Sequence, residues 1–161
     1  MVFTVRLRLA KPRDLNFVVR GIREILAIEK KPATKKMLAE RRRKARAAIR
    51  KREVLVAEGE AGEPGEPVGF LCFEVSRKTP FGVDYGPWSE RFAWVSWSFV
   101  DAPRRGKGVG KALYAEFERE CRRRGIKEVM LDVFEVNAKS RAFHEKLGFA
   151  PLLSIYSKKT R

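Results

Sequence analysis

Apolar and basic residues alternate along residues 2–9, "VFTVRLRL", the two-residue period of a half-buried strand. The period changes in "KPRDLNFVVRGIREILAIEK", where Leu15, Val18 or Val19, Ile22, Ile25 or Leu26 and Ala27 recur near every 3.6 residues. That spacing predicts a helix with one apolar face. Pro32 interrupts the pattern, and Thr34, whose hydroxyl can accept a backbone N–H, opens a second helix to about Lys51. Its apolar stripe is thin: Met37, Leu38, Ala45, Ala48 and Ile49.

"EVLVAEGE" and "PVGFLCFEVSRK" read as two strands joined by the turn-forming "AGEPGEP". A longer break, "TPFGVDYGPWSERF", precedes the strand "AWVSWSFV". Strict alternation there would turn Trp94, Ser96 and Ser98 to one face and Val95, Trp97 and Phe99 to the other. Val109, Leu113, Phe117 and Cys121 then mark one face of a helix that ends in "RRRG". "KEVMLDVFEV" is a strand, "NAKSRAFHEKLG" a helix, and "FAPLLSIYSKK" a last strand after Pro151. The predicted order is β-α-α-β-β-β-α-β-α-β. The late strand–helix–strand unit should bring its two strands parallel under a right-handed crossover.

A chain of 161 residues fits one domain, 1–161, with no repeat or dividing linker, and its 44% apolar content is ordinary for a globular fold. No stretch approaches the roughly 20 apolar residues of a membrane span. Arginines interrupt the apolar N-terminal run, so the expectation is a soluble, cytoplasmic protein. Cys72 and Cys121 lie far apart without nearby ligand partners and read as packed or free thiols, with no metal site expected. The absence of glutamine, the two asparagines and the 35% charged residues suggest a thermophilic source.

The net charge of +16 is uneven. From Lys30 to Arg52, twelve Lys or Arg face one acid, Glu40. Such a segment can be a solvated helix, a cationic wall favouring acceptors with anionic parts, or a contact for an acidic peptide or RNA.

"PRRGKGVGKAL" places three glycines among cations where a strand hands over to a helix. Helix starts carry free N–H groups and partial positive charge, and glycine lets an anion approach the backbone. A phosphate is the expected guest. The P-loop pattern fails, since Lys111 is followed by Ala112 and position 105 is arginine. The dinucleotide pattern also fails, since Gly106 and Gly108 would need a glycine at 111. Arg105, Gly108 and Gly110 fit Arg-x-x-Gly-x-Gly.

Together with "LDVFEVNAKSRAFHEKLGF", this stretch resembles the GNAT superfamily of acyl-CoA-dependent N-acetyltransferases, well over 93–149 and more loosely to the N-terminus. The resemblance implies an α/β (α+β) fold: a mixed, mostly antiparallel sheet with a splayed parallel pair of strands and about four helices. It implies acetyl-CoA as cosubstrate and an amine as acceptor. Arg105, Gly106, Lys107, Gly108, Val109, Gly110 and Lys111 would wrap the pyrophosphate, and Phe99 and Val100 would pair with the pantetheine. Asn137, Ser140 and Phe143 would meet the pantetheine arm, Asn137 also serving as a helix cap.

Where many members carry a tyrosine acid, this chain has His144, its only histidine, which either protonates the leaving thiolate or packs structurally. Tyr114 and Tyr156 are further donors. Glu74, Glu90, Asp132 and Glu135 are possible bases beside a relayed water. Phe81, Tyr85, Trp88, Phe92, Trp94 and Trp97 could cage an amine. The alternatives are a nucleic-acid- or ribosome-associated binding protein on this scaffold and a CoA-binding regulatory module without turnover. The oligomeric expectation is monomer or homodimer.

Overall fold

The structure is a computed structural model and describes residues 4–59, 65–77 and 91–160. Five strands, β1 (Val5–Leu9), β2 (Val54–Gly59), β3 (Pro67–Ser76), β4 (Phe92–Val100) and β5 (Glu128–Leu131), form one sheet in chain order. The first three pairings are antiparallel, and β4 runs parallel to β5. Helices α1 (Leu15–Ile28) and α2 (Lys35–Arg50) link β1 to β2. Helix α3 (Val109–Arg123) is the crossover between β4 and β5, and α4 (Ala138–Lys146) follows β5.

The two faces of the sheet carry separate cores. Leu15, Val18, Ile22 and Leu26 of α1 and Ala45 and Ile49 of α2 pack on Val54, Val56, Phe70, Cys72 and Phe99. Val109, Leu113, Phe117 and Cys121 of α3 pack on the other face, with Leu55, Leu71, Phe73 and Val95. The helical stripes legible in the sequence are therefore the buried faces, except that Ala27, counted in the α1 stripe, is exposed. Thr34 caps α2 as expected, its hydroxyl accepting the Met37 N–H at 3.2 Å.

Two expectations are corrected. Val95 belongs to the α3 face, whereas Trp97 and Phe99 belong to the α1–α2 face. The reason is a bulge: Cys72 pairs with Trp97 and Phe73 with Val95, leaving Ser96 as an extra residue. One inserted residue shifts the alternation, so the residues beyond it exchange faces. The expected last strand over 149–159 is absent. Those residues are unpaired, and Leu152, Leu153, Ile155 and Tyr156 are exposed. A strand needs an edge to pair with, and β5 offers only four residues because the chain leaves the sheet at Asp132.

The segment 78–90, with Phe81, Tyr85, Trp88 and Glu90, lies outside the described residues. No helix of the described residues is long and apolar enough to cross a membrane.

Candidate active site

Pairing between β4 and β5 ends at Val95 and Leu131. From Trp97 to Val100, β4 keeps its β3 partner but none on the other side, so the strands part beside the bulge at Ser96. A sheet cannot leave such a row of backbone groups buried and unbonded, so a stretch of this kind is suited to an extended polar ligand. Asp101 fixes the end of β4, its N–H bonding Val68 O at 2.9 Å and its carboxylate holding Arg20 at 2.8 Å.

The glycine junction follows. Ala102–Arg104 form a single 3₁₀ turn, and α3 starts at Val109 with Gly108 as a cap that makes no side-chain hydrogen bond. Ala112 N–H is the first of α3 to reach a helical carbonyl, that of Gly108 at 2.9 Å. The N–H groups of Val109, Gly110 and Lys111 precede it in the turn that has no acceptor within the helix. Gly106 (φ +74°) and Gly108 (φ +84°) are left-handed, and a Cβ on either would meet no protein atom. The space above them is open, so glycine is needed for its backbone and not to avoid a neighbour.

Gly110 differs. A Cβ there would lie 3.0 Å from Phe143 Cζ, so this glycine lets α3 and α4 touch. Arg105 is exposed, and its Nε donates to Val100 O at 2.8 Å. Lys107 and Lys111 are exposed as well. Open left-handed glycines, a bare helix start and exposed cations fit a diphosphate.

His144 is buried, 6% exposed, and both ring nitrogens are engaged. Nδ1 lies 2.7 Å from Ser140 O, which can only accept, so Nδ1 carries the proton. The neutral ring then accepts at Nε2 from Tyr114 Oη, 2.7 Å away. That commits the one phenolic proton, and Ser98 Oγ, 3.3 Å from Tyr114 Oη, donates to it. A bonded row thus runs from Ser98 in the parted stretch through Tyr114 and His144 to Ser140. Burial lowers the His144 pKa, partly offset by the Ser140 bond. Burial likewise pushes the Tyr114 phenol up to about 12. At neutral pH the row is uncharged.

Asn137 caps α4, its side chain accepting Ser140 N–H at 3.2 Å. Phe143 packs 5.7 Å from the Tyr114 ring. Tyr156 is 92% exposed and stands apart from this group.

Ser98, Tyr114, Ser140 and His144 line one cavity of about 450 Å³ whose other walls are α1, α2 and the start of the chain after β5. Trp94 and Trp97 also line it, whereas Phe92 is buried in the sheet. Of the carboxylates considered as bases, Glu74 and Asp132 line the cavity, while Glu135 is exposed and pairs with Arg141 at 3.0 Å. Asp132 is open to solvent on one side, yet partial desolvation and then the Glu29 charge raise its pKa.

Glu53, which the sequence did not single out, also lines the cavity. It is raised by burial and bonds Val75 N–H at 3.4 Å. Ser98 was legible only as a strand residue, since nothing in the sequence joins it to Tyr114. Both cysteines are free and buried, and no described cluster of His, Cys, Asp and Glu could hold a metal ion.

The model of the acetyltransferase (GNAT) family matches residues 20–149. No curated protein sequence matches the chain. Among solved structures, a GCN5-related N-acetyltransferase from Ralstonia eutropha superposes with a TM-score of 0.77 at 20% identity, covering 97% of this chain and 99% of that one. A ribosomal-protein-alanine N-acetyltransferase from Brucella melitensis biovar Abortus gives 0.66 at 21%, covering 98% and 100%. An aminoglycoside 6'-N-acetyltransferase from Acinetobacter baumannii gives 0.73 at 17%, covering 98% and 99%. A parted parallel strand pair, a bare glycine-rich helix start and a family match over most of the length converge: the chain belongs to the GNAT family and is an acetyl-CoA-dependent N-acetyltransferase.

Proposed function

We propose that acetyl-CoA lies in the gap between β4 and β5, with its pyrophosphate on the N–H groups and cations of Arg105–Lys111. The pantetheine would run along Phe99 and Val100 and pass Asn137, Ser140 and Phe143. When bound, acetyl-CoA supplies an activated acyl carbon. The amine nitrogen attacks it, the carbon–sulfur bond breaks, the sulfur takes the bonding pair and the nitrogen gives up a proton. The acceptor enters through the 450 Å³ cavity.

The residues divide that work. Tyr114 is the group that can present a proton to the sulfur, by turning its O–H away from Nε2 of His144, and His144 is its orienting partner. The phenolate left when Tyr114 gives up its proton is held by the Ser98 hydroxyl. It takes a proton from solvent through the cavity before the next turnover, with His144 neutral throughout. Asp132, whose carboxyl is raised from its ordinary value by partial desolvation and which lines the cavity, receives the amine proton through water. Backbone N–H groups of the parted stretch are the oxyanion donors. The observation that carries this reading is the Ser98–Tyr114–His144–Ser140 row, which starts where β4 loses its partner.

The exposed side of α2, with Arg43, Arg46 and Arg50, supports an additional anionic partner, an acidic peptide or RNA, whose binding would weaken steeply with salt.

Two valine substitutions test the cofactor seat. Gly108→Val and Gly125→Val impose a side chain on left-handed positions, φ +84° and +67°, with no protein atom near either Cβ. Both should lose about 1–2 kcal/mol of stability. Only Gly108→Val should also weaken acetyl-CoA binding in calorimetry, by tenfold or more on the order of a lost charge-assisted bond. Equal affinity in the two variants would place the pyrophosphate elsewhere.

A further inference from the structure

The cavity beside Tyr114 has a second polar end. Arg41, Lys44, Ala48 and Lys51 follow one another at three- and four-residue steps and face it together. Most of the lining cations already have a carboxylate. Lys44 lies 3.4 Å from Glu40, and Lys31 lies 3.1 Å from Glu29 and 3.3 Å from the centroid of the Phe134 ring. The Lys51 charge falls on buried Glu53.

Arg41 is different. Its Nε is buried with no hydrogen-bond partner, and its guanidinium sits 5.6 Å from the centroid of the Trp97 ring. A guanidinium stays charged at any working pH, and a buried donor without an acceptor is costly. The indole restricts how the guanidinium can lie while its Nε–H stays uncommitted. A planar oxyanion taken by two N–H bonds is the group that satisfies such a fork.

Trp97 is the neighbour of Ser98, the first hydroxyl of the proton-donor row. The Arg41 guanidinium, with its unpartnered Nε, and that row therefore share one chamber of about 450 Å³, a size suited to a compact small molecule. Glu29 and Asp132 line the same chamber and favour an ammonium within it. We propose that the acceptor is a small amine bearing a carboxylate, an amino acid or a short peptide end, and that Arg41 reads the carboxylate. The amine half rests on the acetyl-transfer reading of the cavity; the anion seat does not.

Paired amines test this: glycine against glycinamide, β-alanine against its amide, γ-aminobutyrate against butylamine, and phosphoethanolamine against ethanolamine. Thiol release gives kcat/KM for wild type and Arg41→Met. The wild type should favour the carboxylate member by about 10- to 100-fold. Arg41→Met should lose that preference with unchanged acetyl-CoA affinity by calorimetry. Equal use of both members by the wild type, a preference that survives Arg41→Met, or a preference confined to the phosphate pair overturns the assignment.

Quenching of tryptophan fluorescence by glutarate reads the seat without turnover, and should saturate in wild type and vanish in Arg41→Met. Glutarate binding through Arg41 with no amine acetylated would sink the acetyl-transfer reading of the cavity and leave the seat standing. Acetylation of neutral amines with no glutarate binding would do the reverse. If Arg41→Met fails to fold by circular dichroism, Arg41→Lys serves instead. It keeps the charge without the fork, and undiminished carboxylate preference in it overturns the fork.

Discussion

Tyr114 and His144 show how burial assigns roles that side-chain identity leaves open. Histidine ordinarily titrates near neutrality, and His144 stands at the motif position where many family members carry a tyrosine acid. In the folded chain it is buried and neutral, and the hydroxyl it orients is the one adjoining Ser98. Removing only that hydroxyl, in Tyr114→Phe, should lower kcat by about 10²–10⁴-fold while KM for acetyl-CoA changes little. Steady-state kinetics with saturating acceptor checks this, and an unaltered kcat would take Tyr114 out of proton transfer. The position of His144 was legible through its motif. Its link to Tyr114, thirty residues earlier, was not, because it depends on how α3 and α4 meet at Gly110 and Phe143.

The elements themselves were largely legible where one periodicity held throughout. The apolar stripes of α1, α2 and α3, the Thr34 cap and the glycine junction all follow from spacing. β1 was legible as a strand, yet its alternation concealed an ion cluster. Arg8 makes two bonds to Asp14, 2.7 and 2.9 Å, and also bonds Glu58, joining β1 and β2 to the turn before α1. Burial pushes the Asp14 carboxyl up, but Arg8 and the Lys11 N–H together outweigh it and hold it below its usual range. Arg8→Ala would leave two buried carboxylates without their main cation. The expected loss is about 3–5 kcal/mol, a fall of roughly 10 °C in Tm by calorimetry. A shift within error would mean that solvent or Arg13, 3.9 Å from Glu58, replaces the bond.

For the molecule as a whole, these shifts fix how stability follows pH. His144 has a folded pKa below 6.5, so between that folded value and 6.5 the unfolded chain binds a proton that the native chain refuses. Stability should therefore begin to fall as pH drops below about 6.5. Asp14, Glu116 and Glu120 lie below their ordinary values; in the two glutamates, burial is outweighed by neighbouring arginines. Their contribution is present above about pH 4.5 and is lost as pH falls through the lowered values. Denaturant midpoints against pH should show two descents. His144→Gln should flatten the upper one alone, and an upper descent that survives it would assign that titration to another group.

The extra residue at Ser96 has a further consequence for how β4 can vary. Before it, Val95 faces α3; after it, Trp97 lies beside Arg41 and Ser98 reaches Tyr114. Conservative exchanges along the strand would leave that arrangement standing. A deletion of one codon there would leave Trp97 and Ser98 on their present faces, because Val95 opposite Phe73 and Trp97 opposite Cys72 are already the pairs of an unbulged ladder. It would remove only the kink beside which β4 leaves β5. The extra residue serves the parting of the two strands rather than the direction in which the side chains of β4 point.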